Sequence, residues 1–262
     1  MTGPGPALVK LGGSLLEDAG GRAAVLAAIA RRWRGGEPIV LVHGGGKRID
    51  AELAARGIER RVHEGLRITD RATLEVVVAV LAGRVNAQLV RELESAGVDA
   101  VGLCAGDSGL LRADLHPPIG GVDLGFVGTV TSADPRGLEG PLSQGRLPVV
   151  APLAAGPDGS LLNVNADAAA AALAGAIGAR RLVFLTDVEG VADGAGRLRE
   201  RLDPLEASRL LDSPAVTGGM RPKLSACLAA ARAGIREIVI AGPARREAAL
   251  AGGPGGTTLV AA

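Results

Sequence analysis

The sequence predicts an α/β fold with helices on both faces of a mostly parallel sheet. Three observations carry that prediction: short continuous apolar runs rich in Val, Ile and Leu, helical apolar patterns between most of them, and their alternation along the chain. The runs fall at residues 7–11, 38–42, 99–103, 147–150, 182–186 and 237–240. Unbroken apolar character over four or five residues is what a strand buried on both faces requires.

Between the first two runs, Val25, Leu26, Ile29 and Trp33 repeat at helical spacing, and Leu74, Val77, Val78, Leu81, Val85 and Leu89 mark a long amphipathic helix further on. An Ala-rich helix is expected over 168–177, and another opens at 218–223. Residues 116–128, rich in Pro and Gly, break the alternation; their LGFVGTV core reads either as a small β-hairpin flap or as an ordinary surface loop. A new strand opening at 178–181 suggests a lobe boundary there, giving an N-terminal lobe over 1–180 and a C-terminal lobe over 181–262, although no linker composition marks the junction. Parallel α/β sheets bind ligands at the carboxyl ends of their strands, so function is sought in the loops that follow them.

Composition narrows the ligand. The 262 residues, 47% hydrophobic, suffice for one large core or two joined lobes. Lys and Arg total 29 against 28 Asp and Glu, and Trp33, Phe126 and Phe184 are the only aromatic residues, so the basic, aromatic-lined face of a nucleic-acid binder is missing. A small polar ligand is expected instead. Cys104 and Cys227 lie in apolar stretches without metal-ligand spacing and read as buried, reduced thiols, which suits a cytoplasmic location. Residues 1–6 lack the pattern of a signal peptide, and no uninterrupted apolar run approaches the ~18 residues of a membrane span.

Glycine clusters follow the first two predicted strands, in Lys10-Leu11-Gly12-Gly13-Ser14 and Val42-His43-Gly44-Gly45-Gly46. Each alone is a common strand-to-helix turn; two after adjacent strands can converge on one phosphate through backbone N–H groups. Neither matches the P-loop or the dinucleotide fingerprint. Lys10, inside an apolar strand, either meets an anion or snorkels to water. In Leu162-Asn163-Val164-Asn165-Ala166-Asp167 the polar residues alternate, which in an extended segment points all three one way; a helix cap by Asp167 would explain one of them only. Gly218-Gly219-Met220-Arg221-Pro222-Lys223 sets a second lysine near a helix start, unfavourable unless an anion is close. Arg67, in Gly65-Leu66-Arg67-Ile68-Thr69-Asp70, either forks onto a carboxylate or is simply solvated.

Taken in order, KLGGS, VHGGG, GLRITD, LGFVG, LNVNAD, FLTDVEGV and GGMRPKL resemble the amino acid kinase family over about residues 7–260, and most closely its members that phosphorylate N-acetyl-L-glutamate. The resemblance implies a three-layer αβα sandwich, with the amino acid held by the N-terminal lobe and ATP by the C-terminal lobe. By the same resemblance Lys10 and Lys223 neutralise charge on the phosphoryl group in flight, and Asp167 orients both. Gly45 and Gly46 offer N–H groups to that phosphoryl. Gly12 and Gly13 line the ATP phosphates, Arg67 and Asn163 hold the α-carboxylate of the substrate, and Asn165 assists. Adenosine would rest on Thr186, Asp187, Val188 and Gly190 and on Ala215, Val216 and Thr217.

The reaction implied is in-line attack of a γ-carboxylate on the γ-phosphorus of MgATP. It needs no general base, because a carboxylate is ionised at neutral pH. Mg2+ is expected to be held mainly by the phosphates, without a protein metal cage. Two other readings remain at this stage: a kinase for carrier-protein-linked α-aminoadipate, with overlapping motifs, and a catalytically silent sensor, against which both lysines and Asp167 weigh. Family members inhibited by arginine carry an extra N-terminal helix that links dimers into a ring. With Lys10 so early in this chain, the expectation is a homodimer that arginine does not inhibit.

Overall fold

The computed structural model describes residues 5–107, 109–214, 216–253 and 255–260. The chain starts with β1 (Ala7–Leu11), α1 (Gly13–Glu17), α2 (Ala19–Arg34), β2 (Ile39–His43) and α3 (Gly46–Ala55). A short hairpin follows, β3 (Val62–His63) and β4 (Leu66–Arg67); both residues of its turn, Glu64 and Gly65, take positive φ. Next come α4 (Arg71–Val78), a π-helical stretch at Ala79–Val85, α5 (Asn86–Ser95) and β5 (Ala100–Cys104). The middle of the chain holds β6 (Leu111–Leu115), β7 (Val127–Ala133), α6 (Arg136–Ser143), β8 (Leu147–Ala151), β9 (Leu153–Ala155), β10 (Leu161–Val164) and α7 (Ala166–Ala176). The last part runs through β11 (Arg181–Leu185), β12 (Arg201–Leu202), α8 (Pro204–Leu211), α9 (Met220–Arg232), β13 (Glu237–Ala241), α10 (Arg246–Ala251) and β14 (Thr257–Val260).

All six predicted strands exist, within two residues at either end. They form the parallel centre of one eight-stranded sheet, in the order β12-β14-β13-β11-β1-β2-β8-β5, with β14 antiparallel to β13 at one side. Alternation along each strand divides the core in two. Val9, Leu11, Ile39 and Leu41 pack against α2, α4, α5 and α10, whereas Leu8, Val40 and Val42 pack against α7, α8 and α9. The result is three layers, α on β on α. Arg181 opens a strand, as predicted, and that strand pairs with β1, so the sheet runs unbroken across the expected lobe boundary.

The structure departs from the reading of the sequence in two places. The LGFVGTV segment is neither a self-contained hairpin nor a plain loop: Val127 opens β7, whose antiparallel partner is the earlier β6, and β6, β7, β9 and β10 close into a small barrel beside the sheet. Cys227 is buried, but Cys104 is only partly so. The 25 residues Arg71–Ser95 are long and apolar enough to cross a membrane by length and composition alone. Their apolar side chains Val76, Val77, Leu81, Val85, Leu89 and Leu93 belong to the sheet-facing core, so this is a core helix.

Candidate active site

The two glycine loops leave the carboxyl ends of β1 and β2, which are adjacent, and they touch. A methyl group built on Gly44 would lie 3.4 Å from the Gly13 nitrogen, and one on Gly13 would lie 3.4 Å from the Gly46 nitrogen. Gly12 has no room for a side chain either: its N–H donates to the Leu185 carbonyl at 2.8 Å, and a β-carbon there would meet the same oxygen at 2.8 Å. Beneath the second loop His43 is fully buried, with Nδ1 2.9 Å from the Gly44 oxygen and Nε2 3.2 Å from the Asn86 amide nitrogen. That amide also donates to the Val149 oxygen at 2.9 Å. Asn86 therefore donates to Nε2 while Nδ1–H donates to Gly44, which makes the ring neutral; burial pushes its pKa down to about 4.

The charged centre is assembled from three elements. Lys10 pairs with Phe184 in the sheet register and shares the strand face of Leu8, so its side chain meets α7 and α9. Its Nζ lies 2.7 Å from Asp167 Oδ1, and Lys223 Nζ, from the first turns of α9, donates to Asp167 Oδ2 at 3.0 Å. Each of the three is 6% exposed. Burial depresses the Lys10 ammonium below the ordinary lysine range although Asp167 opposes it. Burial alone would raise the Asp167 carboxyl, yet the two lysines hold it below its usual value. Lys223 also sits over the Phe184 ring, 5.5 Å from its centroid.

Three cavities, each sharing lining residues with the next, extend from this centre. One of about 340 Å³ is lined by Gly45, Gly46, Arg67, Asn163, Asn165 and Asp167, among others. The next, about 460 Å³, is lined by Gly12, Gly13, Thr186, Asp187, Val188, Thr217 and Lys223. The two share Lys10, Gly13, Lys47 and Asp167. The third, about 340 Å³, is lined by Val188, Gly190, Val216 and Thr217 and shares Val188, Thr217 and Met220 with the second. All the site residues read from the sequence thus line one groove, except Ala215, which lies outside the described residues.

Some reasons differ from those the sequence offered. Asn165, not Asp167, caps α7: its Oδ1 accepts from the N–H groups of Asp167 at 2.9 Å and Ala168 at 3.1 Å. Asp167 already lies in the helix, so the three polar residues converge through a strand-to-helix turn and not through strand alternation. Arg67 is far from merely solvated. It pairs with Asp50 at 2.5 Å, its Nη2 reaches the Gly46 oxygen at 3.3 Å, and its buried Nη1 has no hydrogen-bond partner among the described residues. That leaves the Nη1 amino group, with its N–H donors, for an incoming carboxylate. Asn163 donates to Thr69 Oγ1 at 3.1 Å. Sequence reasoning missed Ser14, Lys47, Leu81, Pro152 and Met220 as lining residues. Ser14 and Lys47 directly follow the glycines already singled out, a signal that was available.

Among the described residues, no cluster of three His, Cys, Asp or Glu side chains could hold a metal. Asp187 is the one carboxylate besides Asp167 in the middle cavity. Burial works against its ionisation, but hydrogen bonds from its own backbone, Thr186 and Ser14, with the charge of Lys47, bring it below the usual carboxylate range. A lone ionised oxygen donor fits a magnesium ion that is bound chiefly through phosphates.

Glycine loops at strand ends, facing two lysines that share one buried carboxylate, fit an enzyme that transfers a phosphoryl group. The chain belongs to the amino acid kinase family, which it matches over residues 6–242, and it is a kinase. It is 43% identical over 258 residues to the acetylglutamate kinase of Solibacter usitatus, covering 97% of this chain and 99% of that one. To the acetylglutamate kinase of Methanopyrus kandleri it is 46% identical over 239 residues, 89% of this chain and 93% of the other. Among solved structures, the smu.665 protein of Streptococcus mutans superposes with a TM-score of 0.84 at 27% identity, covering 98% of both chains.

Proposed function

We propose that this kinase transfers the γ-phosphoryl group of ATP to the γ-carboxylate of N-acetyl-L-glutamate, giving N-acetyl-L-glutamyl 5-phosphate, a step of arginine biosynthesis. The observation that carries the reading is the Lys10–Asp167–Lys223 triad at the seam between two cavities, one on each side of the phosphoryl path. The kinship to acetylglutamate kinases supports the choice of acceptor.

In this reading the N-terminal lobe, residues 1–180, holds the acceptor: Arg67 and Asn163 take its α-carboxylate, and Asn165 holds the turn that aims Asp167. The C-terminal lobe, 181–262, holds the nucleotide, with adenosine on Val188, Gly190 and the Val216–Thr217 side of the groove and the phosphates over Gly12 and Gly13. The acceptor carboxylate attacks in line, the bond from the γ-phosphorus to the β,γ-bridging oxygen breaks, and ADP leaves with that electron pair. No proton moves. Lys10 and Lys223 carry the charge that spreads over the transferring group, and the N–H groups of Gly45 and Gly46 meet its oxygens. Asp187 would be the carboxylate available to a magnesium ion held with ATP, which would supply positive charge to the phosphates.

We place the enzyme in the cytoplasm and propose a homodimer. Strand β5 ends the sheet with Val101 and Leu103 only half covered, an edge that a second copy would close. Light scattering at the monomer mass would reject the dimer.

The test is ADP release from MgATP with N-acetylglutamate, glutamate, aspartate or N-acetyl-α-aminoadipate, with hydroxylamine present to trap acyl phosphate. Turnover and hydroxamate with N-acetylglutamate alone are expected, and Lys10→Ala or Lys223→Ala should lower kcat by ~100-fold or more. Turnover confined to the aminoadipate analogue would move the enzyme to carrier-linked lysine chemistry, and silence with all four would leave a binding protein.

A further inference from the structure

Lys47 is the one charged residue at the seam that the reading above does not use. It is the second residue of α3, directly after the glycine loop, and lines both the acceptor cavity and the phosphate cavity. Only Lys10, Gly13 and Asp167 share that position. Lys10 is buried and already shares the Asp167 carboxylate with Lys223, whereas Lys47 is exposed and forms no ion pair among the described residues. The first turn of α3 contains no acidic residue. A lysine at a positive helix end is unfavourable unless an anion neutralises it.

The charge count points the same way. Lys10, Lys223 and Asp167 together carry one net positive charge, which the ionised Asp187 in the same cavity cancels, while MgATP and an amino-acid dicarboxylate bring several negative ones to the same seam. A cation that lies open between the two cavities, on a flexible four-carbon stem, can follow a phosphoryl group from one to the other; a cation locked against Asp167 cannot.

We infer that Lys47 is a third phosphate-binding cation, whose ammonium contacts the γ-phosphoryl oxygens as the group passes from the nucleotide to the acceptor carboxylate. This rests on the proposed phosphoryl transfer and adds a residue to it. The bond changes are those already given, with the bridging oxygen keeping its electron pair on ADP and no proton exchanged; Lys47 stays protonated and contributes charge alone. Because the contact is with the γ-phosphoryl group, it is made to ATP and not to ADP.

The test uses Lys47→Met, which keeps the stem and removes the charge, and Lys47→Arg, which keeps the charge. The side chain is exposed and unpaired, so both variants should melt with the wild type. For Lys47→Met we expect kcat to fall by about ten-fold or more, KM for N-acetylglutamate to stay within about two-fold, and a non-hydrolysable MgATP analogue to lose affinity while MgADP does not. Lys47→Arg should recover most of both losses. A Lys47→Met enzyme with wild-type kcat and an unchanged ratio of analogue to ADP affinity would overturn the inference. If the wild type itself fails to turn over N-acetylglutamate, the acceptor reading fails, and the affinity ratio still decides whether Lys47 binds the γ-phosphate.

Discussion

At the scale of single residues, one carboxylate makes two buried ammonium groups tolerable. Removing an ion from water costs several kcal/mol, so Lys10 and Lys223 are affordable inside the fold only because Asp167 lies 2.7 and 3.0 Å away. The balance stays positive by one charge, which is what an incoming phosphate needs. Lys10 stood out in the sequence because a charge inside an apolar strand either meets an anion or snorkels to water, and the fold supplies the anion. Arg67 did not stand out, since its value lies in an unpartnered Nη1 that only the surrounding Asp50 and Gly46 define. His43 gives a residue-level prediction. Its imidazole titrates near 4 in the fold against 6.5 in an open chain, so the unfolded state takes up a proton first as the pH falls. Stability from this group is intact above pH 6.5 and is lost between 6.5 and 4, by up to roughly 3 kcal/mol. Urea unfolding at pH 7 and pH 4.5 should show a smaller acid loss for His43→Gln than for the wild type; equal losses would mean that the ring is not held neutral.

At the scale of elements, the long helix is more than a core filler. Its apolar periodicity was readable from Leu74 to Leu89, but the π-helical register over Ala79–Val85 was not, because a spacing of four apolar residues looks alike in both forms. That register puts Leu81 against Gly45 and delivers Asn86 to His43, so one helix supports the second glycine loop from two sides. Gly102, on β5, leaves the space that the Asn86 side chain occupies. A methyl group on Gly45 would meet Leu81 Cδ2 at 2.5 Å. Gly45→Ala should therefore destabilise by about 1–3 kcal/mol and depress kcat. Combined with Leu81→Ala it should show a favourable coupling of about 1 kcal/mol in a double-mutant cycle. Strict additivity would place the loop's support elsewhere. The barrel strands escaped the sequence for a different reason: β9 spans three residues and β10 four, too short for any period to show.

At the scale of the whole molecule, the groove is lined from both proposed lobes, with Asp167 on α7 and Lys223 on α9 bridging them through one contact. A nucleotide that spans the groove binds only the folded chain, so at about 100 times its dissociation constant it adds roughly 2.7 kcal/mol. For a chain of this size that corresponds to a rise in Tm of about 5–10 °C. Differential scanning fluorimetry with a non-hydrolysable MgATP analogue should show the rise in the wild type and a smaller one in Lys223→Ala. No shift in an enzyme that turns over would mean that the groove closes on the nucleotide only when the acceptor is present.

The sequence by itself determined the parallel sheet, the order of its central strands' loops, the glycine clusters and the three ionisable residues of the centre. Each is written locally, in unbroken apolar runs, in glycines where no side chain fits, and in charges that cannot be buried alone. Only the tertiary structure decided that β1 lies between β2 and β11, that Asn165 rather than Asp167 caps α7, that the π-helical stretch braces the glycine loop, and that Lys47 stands at the seam of two cavities. Those outcomes depend on which distant segments meet, and contact across the sheet leaves no periodic mark on the chain.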